Sequence, residues 1–231
     1  MYKRIRKLSQ LVKDHGLLNL LLYKLDIVAR EFSKNKIKIV KYYFFAQPIV
    51  DTIVVKHAHK RKIKIRLLNY YDPILDQCPR PLGVINERFA QQSKCFVASK
   101  DNEFIGFIWL SQKAYMEDEV RSEFIPMPIN ESVWDYDVYI KPESRLSLAF
   151  PMLWDQVNTY LSERGYRWTM SRISGVNSAS LSTHKKLGAQ ECGQSIFVCF
   201  WRLQLMFSSI PPYIHMSITG YPSLGLFPPK K

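Results

Sequence analysis

From Trp134 to Ile140, the apolar residues Trp134, Tyr136, Val138 and Ile140 alternate with Asp135, Asp137 and Tyr139. This is the two-residue period of a β-strand, and Lys141-Pro142-Glu143 ends it. Asp135 and Asp137 are therefore expected on one strand face. Between Phe150 and Arg164 the period changes: Met152, Leu153, Trp154, Val157, Tyr160 and Leu161 recur at helical spacing, and Gly165 supplies the stop. Tyr166 to Ile173 returns as a strand, and Asn177 to Leu187 as a short helix ended by Gly188. Upstream, Lys62 to Leu68 reads as a strand and Gly83 to Gln92 as a helix. Cys95 to Ser99 and Phe104 to Leu110 read as a hairpin around Lys100-Asp101-Asn102-Glu103. Ala189 to Gly193 and Ile196 to Leu203 read as a closing strand pair. From Ser208 onward two Pro-Pro pairs and scattered glycines predict an irregular tail.

The N-terminal region follows a different pattern. Leu8, Leu11, His15, Leu18, Leu22, Leu25, Ala29 and Phe32 are spaced by steps of three and four, the apolar stripe of an amphipathic helix, and Ile37, Ile39, Lys41, Tyr43 and Phe45 then alternate as a strand does. Charge is concentrated here. Residues 1–66 hold 17 Lys and Arg against 4 Asp and Glu, an excess equal to the whole chain's net charge of +13, so residues 67–231 are balanced. A basic amphipathic helix can pack on the domain, pair with a partner helix, or lie on an anionic membrane, where apolar burial and charge attraction add. Nucleic acid is the weaker reading, because no RNA-binding signature accompanies the aromatic and basic mix of Lys36 to Phe45.

Two motifs occur in register: Pro142-Glu143-Ser144-Arg145 leading into a helix, and Asn177, Ala179, His184 and Leu187-Gly188 in the next one. With these, the stretch from Ile63 to Leu205 resembles the GNAT family of N-acetyltransferases. The resemblance implies an α/β (α+β) fold with a mixed, mostly antiparallel sheet flanked by helices. It also implies an acyl transfer from acetyl-CoA, or another acyl-CoA, to a primary amine on a small molecule or glycan. Backbone groups near Val138 and Ile140 would hold the thioester arm. The turn Arg145, Leu146, Ser147, Leu148, Ala149 and Phe150 would hold the pyrophosphate at a helix N-terminus, with Asn177 nearby. Asp135 or Asp137 would take up the amine proton. His184 stands where the family commonly has the Tyr that protonates the departing thiolate, and a helix-surface or satisfied core histidine is the other reading of that position. The turn departs from the family pattern, because Leu148 stands where the family has glycine and Phe150 where it has glycine or alanine.

The implied organisation is a basic arm over residues 1–60, an acyltransferase domain over 61–207 and a tail over 208–231. With 47% hydrophobic residues, 231 residues suffice for one such domain. Cys78, Cys95, Cys192 and Cys199 lack metal-ligand spacing, so no metal is expected. The apolar run Leu17 to Tyr23 is too short to span a bilayer, and a cytoplasmic protein, peripheral on the inner membrane face if the arm binds lipid, is expected. Two alternatives accompany the acyl-CoA reading. One is a transferase of the same fold whose donor is acyl carrier protein or aminoacyl-tRNA, and the other is a non-catalytic protein docking on a membrane or partner.

Overall fold

The computed structural model describes residues 16–50 and 63–229. Its elements, in chain order, are α1 (Leu17–Ser33), β1 (Ile37–Pro48), β2 (Ile63–Leu68), a short 3-10 helix (Pro73–Gln77), α2 (Leu82–Ala90), β3 (Lys94–Lys100), β4 (Glu103–Ser111), β5 (Tyr115–Met116), β6 (Glu123–Pro126), β7 (Ser132–Ile140), a second 3-10 helix (Pro142–Ser144), α3 (Ala149–Ser162), β8 (Trp168–Ser174), α4 (Ser178–Lys186), β9 (Gln190–Phe200), β10 (Leu203–Ser208), β11 (Ile214–Ser217) and β12 (Ser223–Leu226). The fold is mixed α+β, and all the registered strand pairs are antiparallel except β6 with β12. The chain divides into two compact units. Among the described residues, a central unit comprises 48–50, 63–113 and 128–169, and a terminal unit comprises 16–47, 114–127 and 170–229. This division differs from cuts near residues 60 and 207, because the segments before β2 and after β10 are joined to strands from mid-chain.

In the central unit the strands run in the order β7-β4-β3-β2. Asp101 and Asn102 turn the β3–β4 hairpin with φ of 52° and 66°, the left-handed conformation that Asp and Asn tolerate best after glycine. One sheet face carries Cys95, Val97, Phe107 and Trp109 and packs on Ile85 and Phe89 of α2. On the opposite face Phe96 meets Tyr160 of α3 with ring centroids 5.3 Å apart. The apolar spacing that predicts α3 is the spacing that buries Met152, Leu153, Trp154, Val157 and Leu161. Gly106 sits under β7, where an added Cβ would lie 2.6 Å from the Tyr139 carbonyl oxygen, so the two strands approach too closely there for any side chain.

In the terminal unit β1 pairs with β9, β9 with β10, and β10 with β11. The hairpin between β9 and β10 turns at Trp201, with φ 53°, rather than near Gln194 as expected. No glycine or proline marks that turn. The tail is also more ordered than its composition predicts. Leu224 and Leu226 of β12 are fully buried beside β6, and the Arg121 guanidinium donates to the carbonyls of Arg202, Ser217 and Ile218 at 2.7, 2.9 and 2.7 Å.

Helix α1 is turned opposite to the usual amphipathic arrangement. Asn19 is 6% exposed and accepts a hydrogen bond from the Tyr43 hydroxyl at 3.1 Å. Asp26 accepts from the Ile39 N–H at 2.7 Å and pairs with Arg30 at 2.8 Å. Ser33 Oγ accepts from the Ile37 N–H at 2.8 Å. Its polar side therefore holds the helix to the unit, while Leu18, Leu25 and Phe32 of the expected stripe are exposed. The stripe positions Leu8, Leu11 and His15 lie outside the described residues.

Candidate active site

The two strand carboxylates do not share a face. In the β4–β7 ladder Trp109 is opposite Asp137 and Leu110 is opposite Asp135, so Tyr136 has no partner and forms a β-bulge. Directly opposed residues share a sheet face, and the consecutive Trp109 and Leu110 point to opposite ones. Asp137 therefore faces α2, and Asp135 faces α3 together with Val138 and Ile140, which are opposite Ile108 and Gly106. This corrects the expectation of one shared face. A bulge without glycine or proline leaves the sequence alternation looking unbroken.

The α2 side supplies Asp137 with two cations. Arg80 donates to both of its oxygens at 2.8 and 2.7 Å, and Arg88 adds a third contact at 2.7 Å. The Arg88 guanidinium lies 5.2 Å from the Trp109 ring centroid and 5.1 Å from that of Tyr136, which orients it further. A carboxylate gripped by two guanidinium groups serves as an internal ion-pair tie. This geometry gives Asp137 a structural task and removes it from the position of an available base.

Asp135 lies in a contrasting environment. It is 3% exposed, and its Oδ2 has no hydrogen-bond partner among the described residues. Burial raises its carboxyl well above the usual carboxylate range, and the neighbouring Thr169 hydroxyl offsets this only in part. A carboxyl perturbed by desolvation is a functional-site candidate.

The turn before α3 is built for modest anion contact. The N-cap residue Leu148 makes no side-chain hydrogen bond to the helix, and the first turn holds no acidic residue. The Ala149 N–H already bonds to Ser147 Oγ at 3.1 Å, and Ser147 Oγ donates to the Ser144 carbonyl at 2.6 Å. Pro151 has no N–H, and the Met152 N–H bonds to the Leu148 carbonyl at 3.0 Å. Leu146 is fully exposed, and the Phe150 ring packs on Trp154 with centroids 6.3 Å apart. The Leu148 and Phe150 N–H groups and the exposed Arg145 guanidinium are what the turn can still offer a phosphate.

In the terminal unit Asn177 is the N-cap of α4, its side chain accepting from the Ser180 N–H at 3.1 Å. Gly188, with φ +84°, ends that helix as expected. Ser178, Leu181, Ser182, Lys185 and Lys186 line an open basin of about 550 Å³, with Tyr43 and Glu191 across from them. His184 is not among the lining residues; it is 7% exposed. Burial pushes its imidazole down to about 4, so it is neutral near pH 7. This corrects the expectation of an imidazolium proton donor, because desolvation favours the uncharged ring.

The acidic run Glu117-Asp118-Glu119 also has an internal task. Arg172 grips the buried Glu117 at 2.6 and 2.7 Å, and the Tyr42 hydroxyl donates to Glu119 at 2.6 Å. Sequence reasoning could not supply these partners, which lie 55 and 77 positions away. Among the described residues no group of His, Cys, Asp and Glu is arranged to hold a metal ion.

No protein-family model matches the chain, and no curated protein matches it. Similar solved structures include GNAT-family acetyltransferases. One is a protein from Novosphingobium aromaticivorans assigned to the GNAT family, with 10% identity over 69% of this chain and 63% of its own, at a TM-score of 0.49. A tandem GNAT protein of the clavulanic acid biosynthesis pathway shares 11% identity over 75% of this chain and 55% of its own, at 0.48. The aminoglycoside acetyltransferase AAC(6')-Iy, bound to a bisubstrate analogue, shares 19% over 55% of this chain and 89% of its own, at 0.42. At such identities the likeness concerns the arrangement of elements and leaves the chemistry to the residues.

Proposed function

We propose that this chain is a GNAT-type N-acyltransferase that moves an acyl group from a coenzyme A thioester to a primary amine by direct attack. The observation that carries the reading is the enclosed Asp135 carboxyl beside the Tyr136 bulge, in the strand that the sequence resemblance assigns to the thioester arm. In this reading the amine nitrogen attacks the carbonyl carbon and a C–N bond forms. The ionised form of Asp135 takes the ammonium proton. As the C–S bond breaks, the same carboxyl, now neutral, returns a proton to the thiolate directly or through water. Its burial suits this task, because desolvation raises the carboxyl's affinity for protons and makes its ionised form a stronger base than an ordinary carboxylate. Asp137, with Arg80 and Arg88, would keep the bulged strand in place, and Arg145 with the Phe150 N–H would meet the donor's phosphates.

One observation favours a second reading, a donor other than coenzyme A or a binding protein of the same fold. Ser147 and Pro151 leave the turn before α3 short of free N–H groups. Thermal denaturation with millimolar acetyl-CoA separates the two readings, since a ligand bound only by the folded state must raise its stability. A raised midpoint, with thiol release on adding primary amines, is the outcome expected of the transferase. An unmoved midpoint would transfer support to the second reading.

A further inference from the structure

The terminal unit presents a continuous class of exposed apolar side chains that its own fold does not use. On α1, Leu17, Leu21, Leu25, Val28 and Phe32 follow steps of four, four, three and four, and all are exposed, Phe32 by 87%. This row is opposite the Asn19, Asp26 and Arg30 side, where Asn19 and Asp26 bind the helix to β1 and Arg30 pairs with Glu119. The sheet extends the feature. Ile37 and Ile39 are opposite Phe200 and Val198, Phe200 is opposite Leu203, and Leu205 and Phe207 are opposite Met216 and Ile214, so all of these share one face. Tyr43 lies on that same face by alternation and touches Asn19, so α1 covers β1 there and leaves β9 to β11 open. Phe200, Phe207, Ile214 and Met216 are accordingly exposed. A helix whose apolar row faces outward, next to an uncovered apolar sheet face, marks an interaction surface.

Charge identifies the occupant. Lys24, Lys34 and Lys36 are exposed on and just beyond α1, and the described residues 16–47 hold six Lys and Arg against two Asp and Glu. Trp201 and Tyr213, the amphipathic aromatics suited to a lipid headgroup layer, are also exposed in this unit. A second copy of the chain would bring the same positive charge against the face and be repelled, whereas an anionic lipid surface attracts it. No described helix is long and apolar enough to cross a membrane. We propose that this face docks on an anionic bilayer, with α1 lying in the plane of the interface and the β9–β11 face beside it.

The test is co-sedimentation of the full chain with vesicles of phosphatidylcholine alone or mixed with phosphatidylglycerol. Binding to the mixed vesicles, weakened by added salt, is expected. The triple variant Leu21→Gln/Leu25→Gln/Phe32→Gln should bind at least tenfold more weakly with an unchanged thermal midpoint, because these side chains are exposed. Lys24→Glu/Lys34→Glu/Lys36→Glu should weaken binding while leaving the apolar row intact, and it serves as the second probe should the first variant misfold. Failure of the intact protein to sediment, or undiminished binding by both variants, would overturn the proposal. So would a dimer in solution that the first variant converts to monomer without any vesicle binding by the parent, an outcome that assigns the face to a second copy.

Discussion

The α2 and α3 sides of β7 treat two aspartates, separated by one residue, in opposite ways. Asp137 meets two arginines whose charge exceeds its own, and its oxygens accept three short hydrogen bonds. Asp135, beyond the Tyr136 bulge, is enclosed and, among the described residues, has no paired cation and carries an oxygen lacking a hydrogen-bond partner. The same side chain is thus an ion-pair tie on one side and a desolvated carboxyl, raised above its ordinary range, on the other. Compensation, more than position along the strand, separates the paired carboxylate from the perturbed one.

The largest expected effect tests the first half of that contrast. Asp137→Ala leaves Arg80 and Arg88 side by side without their counter-charge, and breaking a buried pair of this kind costs about 3–5 kcal/mol. Urea denaturation should show that loss. A change below about 1 kcal/mol, the range of exposed pairs, would mean that solvent screens the cluster and that Asp137 is available for chemistry after all.

Asp135→Asn probes the other half. Because the folded state raises this carboxyl above its unfolded value, the native protein holds a proton that the unfolded chain has released, and stability falls as pH rises above about 4. The amide keeps the shape and cannot titrate, so the variant should gain stability relative to the parent as pH is raised, while losing acyl transfer. Parallel stability-against-pH curves for the two proteins would show that Asp135 is not shifted by burial, and retained turnover would remove it from the reaction.

Much of the frame was legible in the sequence because it rests on local signals. The apolar spacing from Met152 to Leu161, Asp101-Asn102 between two strands, and Gly188 after a helix each specify their element within a few residues. The candidate site was less legible because its character depends on distant partners. Nothing near Tyr136 announces a bulge, and nothing near Asp137 indicates Arg80, 57 positions earlier. Amphipathicity located α1 yet could not say which side turns inward, since that follows from Tyr43 and the backbone of Ile39 receiving its polar groups. His184 has a helical position that resembles a proton donor's, and only its burial reveals a neutral ring.

His184 extends the contrast to a basic side chain. Its folded value of about 4 lies below the ordinary 6.5, so the unfolded chain binds the proton more readily, and stability is lost as pH falls from about 6.5 through 4. The full loss amounts to about 3 kcal/mol, a smaller effect than that expected at Asp137. His184→Gln should flatten this part of the curve. An unaltered acid slope would mean that the imidazole is hydrated in solution.

The smallest effect bears on whether the turn before α3 serves a ligand or only the helix. Ser147→Ala removes an acceptor from the Ala149 N–H, and loss of a cap of this type costs about 1 kcal/mol. The same change frees that N–H beside Arg145, at the positive end of the helix. If the turn holds the donor's pyrophosphate, the variant should be slightly less stable in buffer and yet bind acetyl-CoA more tightly, and Arg145→Ala should weaken that binding. Calorimetric titration reads both changes. Lower stability with unchanged affinity in both variants would confine Ser147 to capping α3 and place any donor phosphates elsewhere.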